Sequence, residues 1–317
     1  MRKFGAREGV DIAEARIEQD NVSIGLIAYG ARVRNWRVPA GGGRRNVVLG
    51  FERLEDYLAD RNHLGAITGR VANRIRNSRF TFDGKQFALP SNEGRHHLHG
   101  GPEGFGTRIW SLEPDSADNS VEARLISPAG HMGYPGKVEV TVVFRLDGRK
   151  LVHNMRARVS EPTPVNIVQH HYFNLMGHGD VLTHRLMIAA DRYTVNDSEL
   201  IPTGEIADVA GTPFDFRVSR EIGPHRTYDL NYVLRDRRDP VLPVVTLESP
   251  DRSLTLKLWS DQPGLQFYNG AYLASPRYGG LCIEDQGFPD AVNQSHFPSI
   301  IVTPDAEYQH RCTIEIA

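Results

Sequence analysis

Apolar and polar residues alternate in run after run of this chain. Val138-Glu139-Val140-Thr141-Val142 alternates, as do Leu254-Thr255-Leu256-Lys257-Leu258-Trp259 and Thr313-Ile314-Glu315-Ile316. A period of two places one side of a segment on a core and the other toward solvent or a cleft, which predicts β-strands. Asp-Gly pairs punctuate the runs. Asp83-Gly84 separates Phe80-Thr81-Phe82 from Gln86-Phe87-Ala88, and Asp147-Gly148 separates Val143-Phe144-Arg145 from Leu151-Val152. Both read as tight hairpins, because this dipeptide tolerates the positive φ angles of a type I′ turn. Helical periodicity is sparse, and only Leu54 to Leu58 suggests a helical turn. Gly and Pro are spread evenly, without a linker, a low-complexity segment or a short repeat. Many short strands with closely spaced turns predict an all-β fold, a sandwich or barrel, as one domain over residues 1–317.

The charge balance narrows the partners. With 37 basic and 39 acidic residues the formal net charge is −2. That argues against a broad nucleic-acid footprint and against charge-driven binding to anionic membrane. No stretch approaches the ~20 apolar residues of a membrane helix. The opening Met1-Arg2-Lys3-Phe4-Gly5 lacks the apolar core of a secretory signal, so a cytoplasmic protein is expected. Cys282 and Cys312 are too few for a disulfide framework, match no zinc spacing and lie in apolar, strand-like stretches. They read as buried thiols. Neither a Gly-rich phosphate loop nor a Gly-x-Ser-x-Gly elbow is present, so nothing suggests a nucleotide.

Three clusters are candidates for chemistry. Arg95-His96-His97-Leu98-His99-Gly100-Gly101 is the first. On an extended chain His97 and His99 share a face and His96 opposes them. Incidental surface histidines, metal ligands and acid–base groups all remain open readings, although further ligands are lacking nearby in sequence. In Gln169-His170-His171-Tyr172-Phe173-Asn174-Leu175 an extended chain puts His170, Tyr172 and Asn174 on one face, against a mostly apolar face with His171, Phe173 and Leu175. The polar face lines a cleft or an exposed edge, or His170 is a core histidine with its hydrogen bonds satisfied. The third is Glu284, which ends the apolar run Leu281-Cys282-Ile283 ahead of Gly287-Phe288-Pro289. It is either a solvated strand terminus or a base held at a rim. Arg74 and Asp229 would not stand out on chemistry alone.

Taken together, the motifs resemble the galactose mutarotase (aldose 1-epimerase) family. Five stretches carry the resemblance. They are Gly69-Arg70-Val71-Ala72-Asn73-Arg74-Ile75, then Leu98-His99-Gly100-Gly101 with Gly104-Phe105, then His170 with Tyr172-Phe173-Asn174-Leu175. Gln266-Phe267-Tyr268 follows, and last Glu284 to Gln286 with Pro289-Asp290-Ala291 and Asn293. Weaker echoes include Tyr29-Gly30-Ala31, Gly133-Tyr134-Pro135-Gly136 and Leu200-Ile201-Pro202-Thr203-Gly204. The resemblance implies a large antiparallel β-sandwich with an open sugar cleft on one sheet. It implies Glu284 as catalytic base, His170 as catalytic acid and His99 as the second active-site histidine. Arg74, Asp229 and Gln266 match residues that hold sugar hydroxyls. Asn73 in the first motif is expected beside them, and Phe288 or Tyr172 could cover an apolar sugar face. No metal or organic cofactor is implied, and the expected partner is a free monosaccharide, bound by a monomer or homodimer. Gln169, His171 and Leu230 depart from the usual family residues at positions expected to flank the sugar, and Asp285 replaces the common Thr. The resemblance therefore does not carry the preferred aldose.

The residue types suit that chemistry. Anomer exchange needs a base to take the C1 hydroxyl proton and an acid to protonate the ring oxygen, with roles exchanged on reclosure. Glu and His, with ordinary pKa values of ~4.3 and ~6.5, serve near neutral pH. Arg offers forked donors, Asp accepts hydroxyl protons and Gln does both. The alternatives are a metal-dependent β-sandwich isomerase using the histidine loop, a non-catalytic sugar-binding module, and a relative acting on an unusual sugar or a sugar phosphate.

Overall fold

The computed structural model describes residues 1–224, 226–274 and 276–317. About 47% of the chain is strand and about 6% helix, so the all-β expectation holds. Three antiparallel sheets carry most of it. A five-stranded meander runs Arg2–Arg7, Val10–Gln19, Val22–Ile27, Arg32–Ala40 and Gly43–Asn46. A nine-stranded sheet runs Ser111–Asp115, Ser120–Ser127, Val138–Asp147, Lys150–Val159, Tyr308–Ile316, Thr255–Ser260, Val245–Glu248, Arg185–Ile188 and Arg220–Glu221. A second five-stranded sheet runs Pro202–Asp208, Arg192–Asn196, Asp229–Val233, Gly264–Tyr268 and Cys282–Gln286.

Alternation in sequence becomes alternation in burial. Val138, Val140, Val142, Phe144 and Leu146 are all buried, while Glu139 and Asp147 are exposed. Burying an aliphatic or aromatic side chain of this kind contributes about 1.5–3 kcal/mol. This face of the nine-stranded sheet packs on the Val10–Gln19 strand of the meander. The Asp83-Gly84 hairpin has positive φ at both residues, 48° and 71°, as a type I′ turn requires. The other hairpin differs from expectation. Asp147 pairs with Lys150, so Asp147 is the last strand residue and Gly148-Arg149 is the turn. Only Gly148 has positive φ (59°), the pattern of a type II′ turn. The helical turn is Leu54–Ala59, which buries Leu54 and Tyr57 and carries Glu55 and Asp56 at its positive end. Both cysteines are free and buried. Among the described residues no helix is long and apolar enough to cross a membrane.

The second five-stranded sheet has two unlike faces. Leu230, Tyr232, Leu265, Phe267, Ile283 and Asp285 are buried on one of them, where Asp285 reaches His310 of the nine-stranded sheet. Asp229, Gln266 and Glu284 project from the other face.

Candidate active site

Register brings the polar residues of three adjacent strands together. Gln266 pairs with Glu284, and Asp229 pairs with Tyr268 two positions further along the same strand. Gln266 Nε2 donates to Asp229 Oδ1 at 2.6 Å, while Gln266 Oε1 and Glu284 Oε2 are buried without a hydrogen-bond partner. Buried polar atoms are normally paired, so two orphaned acceptors side by side point to a ligand's hydroxyls. Glu284 lies in the middle of the Cys282–Gln286 strand, not at its end as the sequence suggested.

His170 enters from the opposite wall. Its backbone is pinned on both sides, with its N–H donating to Ala66 O (2.8 Å) and its carbonyl accepting from Gly65 N–H (3.0 Å). Gln169 clamps the same point to the Glu284 strand, because its Nε2 donates to Ile283 O (2.7 Å) and its Oε1 accepts from His171 N–H (3.0 Å). The result places His170 Nε2 3.7 Å from Glu284 Oε2. Burial, helped by the charges of Asp229 and Asp285, pushes the Glu284 carboxyl well above the ordinary range, with Arg74 opposing. Burial and the neighbouring His63 hold His170 down to about 3. The carboxylate is thus made a stronger base and the imidazolium a stronger acid.

His99 lines the same cleft as His170 and Glu284. Its backbone is left-handed (φ 51°), and Gly100 follows at φ 84°, where a Cβ would fall 1.8 Å from Gly69 O. That approach explains the glycine after the histidine. Asn73 and His99 are tied twice. His99 N–H donates to Asn73 O at 3.0 Å, and Asn73 N–H donates to His99 Nδ1 at 3.2 Å. A lone pair at Nδ1 leaves the proton of the neutral ring on Nε2, as a donor. Burial keeps this imidazole well below its ordinary pKa. The rings of His99 and His170 are 5.0 Å apart, near perpendicular.

His99, His170 and Glu284 offer ligand atoms within 4.8 Å of one another, close enough to consider a metal. A metal-bound histidine normally donates its other ring N–H to an acceptor. His99 Nδ1 instead accepts from Asn73, which favours proton donation over ligation.

Arg74 faces this group. Its Nε and Nη2 donate to the two oxygens of Glu93 at 2.6 and 2.8 Å, and its Nη1 lies 3.7 Å from Asp229 Oδ2. Burial pulls the guanidinium pKa down, but Asp229 and Glu93 outweigh it and the net shift is upward. Asp229 is itself raised by burial against the pull of Arg74 and Gln266. The cleft encloses about 150 Å³, and Asn73, Arg74, His99, His170, Tyr172, Asp229 and Glu284 line it. Gln266 lies beneath, 2% exposed. Concavities around Trp259 and Tyr29 are larger, about 620 and 700 Å³, but neither holds an acid–base pair of this kind.

Several sequence expectations are corrected. His97 does not share a face with His99, because the left-handed turn at His99 separates them. His97 binds Pro90 O and the Tyr134 hydroxyl, each at 2.8 Å, in a buried pocket of its own. Asn174 leaves the face of His170 and Tyr172, since Nδ2 donates to the carbonyls of His178, Gly179 and Gly279. His171 is buried against His153 (3.2 Å), Leu230 faces the core, and Gln169 is the clamp described above. None of these three departures from the family lines the cleft. Sequence reasoning missed His63, Glu93, Tyr268 and Tyr272, which do. The His63 ring is 4.9 Å from His99 and 6.0 Å from His170, and its pKa is lowered to about 4 by burial and Arg32. Its place just upstream of the Gly69–Ile75 motif was the available signal.

Comparison with known proteins identifies the relatives of this chain. The sequence pattern of the aldose 1-epimerase family matches residues 14–315. A galactose mutarotase of Bos taurus is 39% identical, over 94% of this chain and 92% of its own length. An aldose 1-epimerase of Escherichia coli (strain K12) is 37% identical, over 89% and 88%. Among solved structures, an aldose epimerase homologue from C. elegans superposes with a TM-score of 0.91 at 27% identity, covering 96% of this chain and 99% of its own. A galactose 1-epimerase from Lactobacillus acidophilus gives 0.88 at 26% identity, covering 100% and 97%.

Proposed function

The chain belongs to the aldose 1-epimerase family, and we propose that it opens and recloses the ring of a free aldose with Glu284 as base and His170 as acid. Like its relatives it is an isomerase, a mutarotase that interconverts α and β anomers. One observation carries the residue assignment. Glu284 Oε2 and His170 Nε2 oppose each other at 3.7 Å in a cleft whose remaining walls suit sugar hydroxyls.

The steps follow from that geometry. Glu284 takes the proton of the C1 hydroxyl as the C1–ring-oxygen bond breaks and the carbonyl forms. His170 delivers a proton to the departing ring oxygen, which the Nε2–H of His99 orients. Rotation about C1–C2 presents the other carbonyl face, and closure runs the transfers in reverse. The 3.7 Å gap between Arg74 Nη1 and Asp229 Oδ2 suits a hydroxyl that accepts from one and donates to the other. Gln266 Oε1 accepts a further hydroxyl, Asn73 contributes at the rim, and the Tyr172 ring covers an apolar sugar face. The chemistry needs no redox or group-transfer agent, so we assign no cofactor. Residues 1–317 act as one catalytic domain in the cytoplasm, as a monomer or homodimer.

Polarimetry of pure anomers of galactose, glucose, arabinose, xylose, fucose and rhamnose tests this, with and without exhaustive chelation. The expected result is acceleration over the spontaneous rate with at least one neutral aldose, unchanged by chelator. Activity lost to chelator and restored by a divalent ion would establish the metal-dependent reading instead.

A further inference from the structure

We propose that Glu93 is a positioning residue for sugar recognition, one that aims Arg74 at the substrate and bars anionic sugars from the cleft. The inference rests on the reading of Arg74 as a sugar contact. Glu93 itself entered from no sequence motif. It sits on the Ser91–Arg95 loop at the cleft mouth, with its side chain 38% exposed, and reaches back to Arg74, whose side chain is only 9% exposed.

The contact is a fork on a fork. Glu93 Oε2 takes Arg74 Nε–H and Oε1 takes Nη2–H, at 2.6 and 2.8 Å. Paired, charge-assisted bonds of this type fix the guanidinium plane as well as its position. The nitrogen outside the fork is Nη1, and it faces Asp229 across 3.7 Å, too far for a direct hydrogen bond. A sugar hydroxyl therefore meets a donor held in one orientation. Without Glu93 the guanidinium would keep its charge but lose the constraint on its plane.

The same contact sets the charge of the site. Glu93, Asp229 and Glu284 are carboxyl groups lining the cleft, against the single buried guanidinium of Arg74. Glu93 already neutralises that guanidinium. A carboxylate or phosphate carried by a sugar would find no uncommitted cation inside and would face Asp229 and Glu93. Arg61 also lines the cleft, but it is exposed at the mouth and has no carboxylate partner among the described residues. A unit charge removed a few ångströms from an anionic group, at an effective dielectric near 20, is worth about tenfold or more in binding.

The test compares galactose with galacturonate and glucose with glucuronate, using exchange NMR to read anomerisation in the native protein, Glu93→Gln and Arg61→Gln. Native protein should favour each neutral sugar over its uronate by at least about tenfold in kcat/KM. Glu93→Gln should raise KM for the neutral sugar, change kcat by less than about threefold, and narrow the neutral-to-anionic ratio about tenfold. An unchanged ratio in Glu93→Gln would overturn the proposal. So would a uronate rate in native protein that falls on Arg61→Gln, since the mouth would then recruit anions. If native protein accelerates none of these sugars, the mutarotase reading of the site fails. Calorimetric binding of the same four sugars to the same variants then still decides the role of Glu93.

Discussion

Asp285 Oδ2 and His310 Nε2 meet at 2.7 Å between the two sheets, on the far side of the strand that carries Glu284. Both side chains are fully buried. Burial would raise the Asp285 pKa, but His310 outweighs it and holds the carboxyl below its ordinary value, while Asp285 raises His310 against burial. The period of two turns Asp285 away from Glu284 and the cleft, but nothing in the sequence shows this partner.

Asp285→Asn is therefore expected to act through stability. Breaking one side of a buried ion pair costs about 3–5 kcal/mol. Urea denaturation should show that loss, while the rate per folded molecule stays within about threefold of native. Native stability with a collapsed rate would place Asp285 in the chemistry.

His170 and His171 are adjacent and should fail in different ways. His170→Ala removes a proton-transfer group and should lower kcat by about 10²–10⁴-fold with little change in Tm. His171→Ala strands the buried His153 ring, whose Nε2 lies 3.2 Å from that of His171, and should cost about 1–3 kcal/mol. Equal catalytic losses per folded molecule would reverse the assignment of faces.

The pH profile follows from Glu284. The reacting pair carries one proton, on His170 while Glu284 is ionised, so kcat/KM should fall as pH rises through the higher pKa of the pair, the carboxyl's. Burial places that pKa well above the ordinary 4.5, so the alkaline limb should lie above 4.5 as well, with the acid limb near 3, where His170 is held. Glu284→Gln, which cannot accept the proton, should reduce the rate by about 10²-fold or more while sugar binding persists. An alkaline limb centred at or below 4.5, or a nearly active Glu284→Gln, would remove Glu284 from the role of base.

Stability should also depend on pH through His97, buried near Tyr134. Its pKa is lowered by burial from 6.5 to about 4, so between those values the unfolded chain binds a proton that the folded one does not. Stability is then fully present above 6.5 and falls as pH drops toward 4, at up to about 1.4 kcal/mol per pH unit for this group. Chemical denaturation at several pH values should show a shallower slope in His97→Gln. An unchanged slope would mean His97 titrates normally.

The strands were legible because burial on one side leaves a period of two. The opposite orientations of Glu284 and Asp285 follow from the same rule. The rule fails wherever the backbone leaves the extended region. His99 has a left-handed backbone without being glycine, so nothing in the residue type announces its separation from His97. His63 and Glu93 come from loops set by distant contacts, Asp60 with Arg32 for one and Arg74 for the other. Such contacts leave no periodic mark. Gln169 looked like a departure at the sugar site, yet its longer amide spans two wall segments and never meets the cleft.

The strand Tyr308–Ile316 lies between Lys150–Val159 and Thr255–Ser260, and among the described residues it alone joins the two halves of the nine-stranded sheet. Synthesis at ~5–20 residues per second completes the later half, which ends at Ser260, roughly 2–10 seconds before Tyr308 is added. Until then each half presents an open edge, the kind of surface on which chains mispair. The His310 that neutralises Asp285 arrives on the same late segment, so Asp285 has no counter-charge in the interim. Nascent chains paused before residue 308 should thus be the species that chaperones hold, and activity should appear only as the joining strand docks.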